Sequence, residues 1–502
     1  MYNGGVRNLS KSKLIAYRQC PKRLWLEVHK PELRDDSGFQ AAFARGHDVG
    51  KVAQQIFDSE GVGHNVDPNL IGWNASAEQT EVALQAGEGP VFEALLQVPG
   101  AMALADVMRP DSNFSELHWE MIEVKASTKI KDYHRDDVAI QNYIADQSGV
   151  PLSKSFLAHI DTSFVYQGQG DYTGLLHLED LTNEARARAE EVQTWIEKAQ
   201  TVVALEEEPK LATGIQCKQP FTCAFCGYCQ GGHAVEKDPL AVLPHLHWKK
   251  REQFQLSGIS TLKEVPSDQL TEIQQRVQSV HLSGQAYCDR ASAGKLLSQD
   301  PLPAYFLDFE TVSFAVPIWK VTRPYQAIPF QYSLHKLDAG GELGHEDFLD
   351  LSGVDPRRAM AEQLIRDCGD RGTVYVYNAS VEAGIIEKLE EQFPDLAQPL
   401  KAIRQRIVDL LPIVKGCYYH PDQNGSWSLK AIIEPMTGMS YSELEGIQVG
   451  TEAGAAYIEC LDSTTSHERK EQLRQQMLEY CQLDTLATVR IWQFLNQEAL
   501  AV

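Results

Sequence analysis

The chain has no run of 18 or more apolar residues, so no membrane-spanning helix is expected. Met1–Lys13 lacks the apolar core of a secretory signal, and a cytoplasmic location is the expectation. No internal repeat and no low-complexity run is found, which argues against a repeat or fibrous architecture. Positive charge is scarce. Lys and Arg number 46 against 69 Asp and Glu, a formal net charge of −23. That excludes a protein that coats nucleic acid through bulk charge. It leaves room for an enzyme whose carboxylates hold a cation while a local basic patch makes phosphate contacts. Lys11, Lys13, Arg18, Lys22 and Arg23 form such a patch, which reads equally as a solvated basic face.

What is present is an ordinary globular composition, 43% hydrophobic and 23% charged, over 502 residues. That length predicts roughly three domains. Residues 1–235 open with a helical pattern and end in a cysteine cluster. Residues 236–298 read as a small helical segment centred on Leu256–Leu262. Residues 299–502 alternate strands and helices, an α/β pattern. In that last region Tyr305–Glu310, Ile328–Lys336, Glu342–Leu349 and Thr373–Tyr377 are predicted strands, with a turn at Asp338–Gly341. Arg358–Cys368, Val381–Phe393 and a long stretch from Ser466 to Gln497 are predicted helices.

The strand after Pro301 and Pro303 carries Asp308 and Glu310, two residues apart and therefore on one face. Two like charges on a buried strand are costly unless a cation lies between them. Further on, Asn378-Ala379-Ser380-Val381-Glu382 follows a strand, and Tyr480 and Asp484 stand one turn apart on the last helix. This ordered set resembles the DEDD exonucleases of the DnaQ type, with a ribonuclease H-like fold. The resemblance implies Asp308, Glu310, Glu382 and Asp484 as the acids and Tyr480 as the residue that orients water. It also implies two divalent cations, Mg²⁺ or Mn²⁺, about 3.5–4 Å apart. The second motif departs from the pattern, with Val381 for the aromatic and Glu382 for the aspartate. Asp409 is a rival or auxiliary acid.

A second acidic set lies upstream. Ala103–Val107 reads as a strand carrying Asp106, Trp119–Lys125 as one carrying Glu123 and Lys125 on one face, and Asp137–Tyr143 as the opening of a helix. A carboxylate pair with a lysine can hold a metal and stabilise charge on a phosphate. The set resembles the PD-(D/E)XK nucleases of the RecB type. Asp106, Glu123 and Lys125 match that core, and Gln141 matches the glutamine of the following helix. The tyrosine expected four residues later is replaced by Ala145. The usual upstream histidine position falls on Gly50, with His47 nearby as a weaker match.

Ten cysteines in a cytosolic chain are not expected to form disulfides. Cys288, Cys368, Cys417, Cys460 and Cys481 scatter singly and read as small buried hydrophobes. Cys217, Cys223, Cys226 and Cys229 fall within 13 residues, a metal-site spacing that suits either zinc or a [4Fe–4S] cluster. RecB-type nucleases with an iron–sulfur cluster use one cysteine before the nuclease core and three after it. That resemblance implies Cys20, Cys217, Cys223 and Cys229 as the ligands, with Cys226 spare.

The whole chain resembles a bacterial family that joins a RecB-like nuclease with a cysteine cluster to a DnaQ-like exonuclease. Ile328–His335 and Gly425–Lys430 resemble its recurring segments. The implied activity is a metal-dependent deoxyribonuclease, exonucleolytic on DNA ends, in repair or in defence against foreign DNA. DNA is preferred to RNA as the partner, and no protein partner is implied. A 3′–5′ RNA exonuclease and a non-catalytic nucleic-acid-binding scaffold with structural zinc are the alternatives.

Overall fold

The computed structural model describes residues 7–36, 38, 40–231, 239–297 and 302–496. The segment boundaries at 235/236 and 298/299, Pro301, and the far end of the last helix at Gln497 lie outside the described residues. The chain forms two units, each mixed α/β. Unit 1 comprises Met1–Ala234 and Phe314–Gln326, and unit 2 comprises Val235–Ser313 and Ala327–Val502. Among the described residues no helix is long and apolar enough to cross a membrane.

Unit 1 is built on seven strands: β1 (Leu9–Ser10), β2 (His64–Asn65), β3 (Val91–Val98), β4 (Ala101–Pro110), β5 (Trp119–Lys125), β6 (Leu152–Ile160) and β7 (Leu176–Asp180). The sheet order is β2-β3-β4-β5-β6-β7, with β1 joining β4 in parallel. β3, β4 and β5 are antiparallel neighbours, while β6 runs parallel to β5. Helices Asp132–Gln147 and Ala189–Val203 cover one face, where Val138, Ile140, Ile144 and Trp195 pack with Met121 and Leu157. Burial of such side chains is the main stabilising term of the unit. The first of these helices begins five residues before Asp137. Its first turn is capped at Lys131, whose N–H is accepted by His134 Nδ1 at 3.3 Å. Asp137 and Gln141 are thereby one turn apart on the face toward β5.

The stretch Phe314–Gln326, which the sequence places with the C-terminal region, packs in unit 1. Ala315 and Tyr325 join a cluster with Val49, Ile160, Leu175 and Val124.

In unit 2, β8 (Tyr287–Cys288) pairs with β14 (Tyr418–Tyr419) in a two-stranded sheet. The main sheet holds β9 (Ala304–Val312), β10 (Ile328–Leu337), β11 (Leu343–Leu349), β12 (Thr373–Val376) and β13 (Ile407–Asp409). Its order is β11-β10-β9-β12-β13. The first three strands are antiparallel, and β12 and β13 run parallel to β9. Turn chemistry fixes the β10–β11 register. Asp338 accepts the N–H groups of Gly340 and Glu342 at 2.8 and 2.9 Å, and Gly341 takes φ 85°, which a side chain would disfavour.

The strand period separates the two faces of β9. Tyr305, Leu307 and Phe309 enter the core with Met360, Leu364, Ile386 and Leu400. Phe306 faces the other way and meets Trp492 of the last helix, His467–Leu495, edge-on at 5.9 Å. Asp308 and Glu310 share the Phe306 face. The segment read as a separate helical linker is part of unit 2. Its helix Glu272–Ser283 sends Arg276 to the Lys415 carbonyl at 2.7 Å, and Asp289 N–H bonds the Cys417 carbonyl at 2.7 Å.

Candidate metal centres

In unit 2 the four acids of the ordered set come together. Asp308 and Glu310 project from β9 beside Cys481, their ligand atoms all within 4.8 Å of one another. A register shift between Pro329 and Gln331 of β10 lies opposite Glu310 and Thr311. Such a bulge re-aims neighbouring side chains. Glu382 enters from the first turn of helix Ala379–Gln392, and Asp484 from the middle of the last helix. Burial, with the charges of Asp484, Glu310 and Glu382, drives the Asp308 carboxyl well above the usual range. Burial and Asp484 push Glu310 up to about 8, against the pull of Lys430. Burial, then Asp409, pushes Glu382 up to about 8. Asp484 is also raised by burial, although Tyr441, Tyr480 and Lys430 oppose the shift.

Four acids are gathered here, and Lys430 is the cation that opposes the shifts of Glu310 and Asp484. Glu382 is 3% exposed, and its Oε2 makes no hydrogen bond among the described residues. Glu382 and Asp484 lie outside the 4.8 Å group of Asp308, Glu310 and Cys481 but act electrostatically on Asp308, and an orphaned buried carboxylate oxygen beside hard oxygen donors fits a divalent cation. Tyr441 donates its hydroxyl to Asp484 Oδ1, and Tyr480 also bonds that carboxylate. The Lys430 ammonium lies 5.0 Å from the Tyr441 ring centre and 4.8 Å from that of Tyr480. Asp409 has a different task. Its carboxylate accepts the N–H groups of Asn378, Ala379 and Leu411 at 3.0, 3.0 and 2.9 Å. Those bonds fix the elbow at Asn378, which takes φ 84°, and so aim Glu382.

In unit 1 the paired register of β4 and β5 ends at Val107 and Ile122. The next N–H, that of Val124, is taken by Asp106 Oδ2 at 2.6 Å instead of a backbone carbonyl. Glu123 is 1% exposed and fully engaged. Its Oε1 accepts Lys11 at 2.5 Å and Lys125 at 2.6 Å, and its Oε2 accepts Gln141 Nε2 at 2.5 Å. Lys125 also reaches Asp137 at 2.7 Å. Burial disfavours the Glu123 carboxylate, but the two ammonium groups outweigh it and hold its carboxyl below the usual range. Asp106 is pushed up to about 7 by burial and by Glu123. Glu93, across from Asp106 on β3, is pushed up to about 8 by burial, Asp106, Asp67 and Glu123. Gln141 is fully buried and its Oε1 has no hydrogen-bond partner among the described residues. Asp106 and Glu123 with this orphaned amide oxygen fit a cation site. His47 is exposed on helix Gln40–Phe57.

The five clustered cysteines line one cavity with Arg23, Leu26, Gln216 and Phe225. Protein contacts bring its two halves together across the sequence. Gln19 Nε2 bonds the carbonyls of Gln216 and Phe221 at 2.8 and 2.7 Å, and Cys223 N–H bonds the Cys217 carbonyl at 2.9 Å. Burial raises the Cys229 thiol, and Cys223, Cys20 and Cys217 add to the shift. Cys226 instead donates its Sγ–H to the Cys217 carbonyl at 3.3 Å.

Sequence reasoning missed Tyr441, Lys430, Lys11 and Glu93. Lys430 was visible only as part of Gly425–Lys430, and Lys11 only as part of a basic patch. That patch is largely paired: Arg18 with Asp136, Lys22 with Glu208, Arg23 with Glu27. Of the single cysteines, Cys368, Cys417, Cys460 and Cys481 are buried as expected, Cys481 beside the acids, whereas Cys288 is exposed.

Residues 305–428 match the family model described as a domain of unknown function (DUF2779). The match spans Asp308, Glu310, Glu382 and Asp409 and stops short of Lys430, Tyr480 and Asp484. No curated protein matches the chain.

Proposed function

We propose that the chain is a metal-dependent deoxyribonuclease with two centres, a DEDD-type exonuclease centre in unit 2 and a PD-(D/E)XK-type centre in unit 1. The observation that carries this reading is the convergence of Asp308, Glu310, Glu382 and Asp484, with Glu382 Oε2 left unpaired. The order β11-β10-β9-β12-β13, with the acid-bearing strand in the middle, supports a ribonuclease H-like assignment for unit 2. The divergence of β4 from β5 at Asp106 and Glu123, with Lys125 and Gln141 on Glu123, supports the PD-(D/E)XK assignment for unit 1.

Asp308, Glu310, Glu382 and Asp484 would hold the cation of unit 2, and Asp106 and Glu123 that of unit 1. Mg²⁺ or Mn²⁺ bound there supplies Lewis acidity toward a phosphodiester and lowers the pKa of water. Tyr441 and Tyr480 hold Asp484 in one orientation, and Tyr480 would orient water. Lys430 offsets part of the negative charge beside Glu310 and Asp484. In unit 1, Gln141 fixes the Glu123 carboxylate and Lys125 offers positive charge to a reacting phosphate.

Cys20, Cys217, Cys223 and Cys229 would hold a [4Fe–4S] cluster. Degradation of matched DNA and RNA oligonucleotides with Mg²⁺, Mn²⁺ or chelator tests the activity. DNA cleavage that requires the cation is expected. Preferred RNA cleavage contradicts the substrate, and binding without turnover under either metal contradicts catalysis.

A further inference from the structure

Glu123 must give up a contact before it can ligate a cation. A carboxylate oxygen has two lone pairs. Both contacts to Oε1 come from ammonium groups, Lys11 at 2.5 Å and Lys125 at 2.6 Å, and Oε2 is held by Gln141. The two lysines are not equivalent. Lys125 has a second anchor, Asp137 at 2.7 Å, whereas Glu123 is the ion-pair partner of Lys11. Lys11 is the first residue of helix Lys11–Gln19. Its backbone is tied to the same sheet through Ser10, which pairs with Met102 of β4. The side chain is 17% exposed, and its four-carbon stem lets the ammonium move while the backbone stays fixed.

We infer that Lys11 is a second functional lysine of the unit 1 centre. It competes with a divalent cation for Glu123 Oε1, and on yielding that oxygen its ammonium binds the phosphodiester of the substrate. A compact ammonium on a flexible stem suits a phosphate. The displaced ammonium stays among Glu123, Asp106 and Asp137, and a phosphodiester brought to the same cation adds a further anion for it to bind. This inference rests on the unit 1 reading above. The contrasting account is a clamp that pins the first helix to the sheet. A clamp changes stability alone; a competitor changes cation affinity and turnover in opposite directions.

The test is Mn²⁺ binding followed by electron paramagnetic resonance on the full chain, in an Asp308→Asn background that weakens the unit 2 site. Lys11→Met keeps the apolar stem and removes the charge, and Lys11→Gln serves if the first variant folds poorly. The expected result is Mn²⁺ binding about tenfold tighter, with DNA cleavage slowed about 10–100-fold. Lys11→Arg, which keeps the charge, should stay near the parent affinity for Mn²⁺. Unchanged or weaker Mn²⁺ binding in Lys11→Met and Lys11→Gln overturns the inference. Glu123→Gln separates the two levels. If it leaves the Mn²⁺ stoichiometry unchanged, the unit 1 reading itself falls, and the role of Lys11 with it. If it removes one Mn²⁺ while the Lys11 variants bind as the parent does, only the inference about Lys11 falls.

Discussion

The Asp409 carboxylate accepts the backbone N–H of Ala379 at 3.0 Å, so an acid at the end of β13 fixes the start of the helix that carries Glu382. The same carboxylate bonds the N–H groups of Asn378 and Leu411. Asp409→Ala leaves three N–H groups to find water and should cost about 1–3 kcal/mol in unfolding free energy. Urea denaturation measures that loss. DNA cleavage should fall with it, because Glu382 loses its fixed elbow. Full activity in a destabilised Asp409→Ala protein contradicts this link.

Tyr441 holds Asp484 by a hydrogen bond to Oδ1. Partners of metal-binding carboxylates commonly affect metal affinity or activity by 10–100-fold. Tyr441→Phe removes only the hydroxyl and should lower cleavage by about that factor, with little change in melting temperature. The comparison of turnover with melting temperature separates positioning from packing.

Glu310 and Glu382 each ionise near 8 in the folded, cation-free protein, against about 4.5 in an unfolded chain. Between those values the folded state holds more protons than the unfolded one. These two groups therefore contribute stability that is complete below the unfolded value and is lost as pH rises through about 8. A bound cation removes that dependence, because it requires the ionised carboxylates. The melting temperature in chelator should fall from mildly acidic to mildly alkaline pH. Mn²⁺ should stabilise more at the alkaline end, by about 2.7 kcal/mol at a hundredfold excess over its dissociation constant. An equal Mn²⁺ effect at both ends contradicts the assignment.

Cys229 and Cys226 each interact electrostatically with neighbouring thiols, but Cys226 also donates its Sγ–H to the Cys217 carbonyl. Cys229→Ser should abolish a brown iron–sulfur absorbance and destabilise the protein. Cys226→Ser should leave the colour intact. A colourless protein with stoichiometric zinc refutes the cluster.

Local pattern made much of this legible. The apolar run Tyr305–Leu307 and the period of two placed Asp308 and Glu310 on one face of a strand, and both stand there. The helical spacing of Tyr480 and Asp484 was equally plain, because both lie well inside one long helix. Residues that act only through tertiary approach were not legible. Tyr441 reaches Asp484 across 43 positions and Lys11 reaches Glu123 across 112. No local period connects such pairs. Glu93 was hidden for a related reason: it sits at φ 57° in an apolar strand, where its cross-strand neighbour Asp106 gives it its environment. The role of Asp409 has the same origin: the pairing of β12 with β13 brings its carboxylate to the N–H groups of Asn378 and Ala379, some 30 positions away.

Cleavage of single- and double-stranded DNA by the full chain with Mg²⁺ or Mn²⁺, compared among the parent, Asp308→Ala and Glu123→Ala, tests the two-centre account most directly. The account predicts that each change lowers cleavage and that the double variant is no faster than the parent in chelator. Cleavage unaffected by both changes would contradict it.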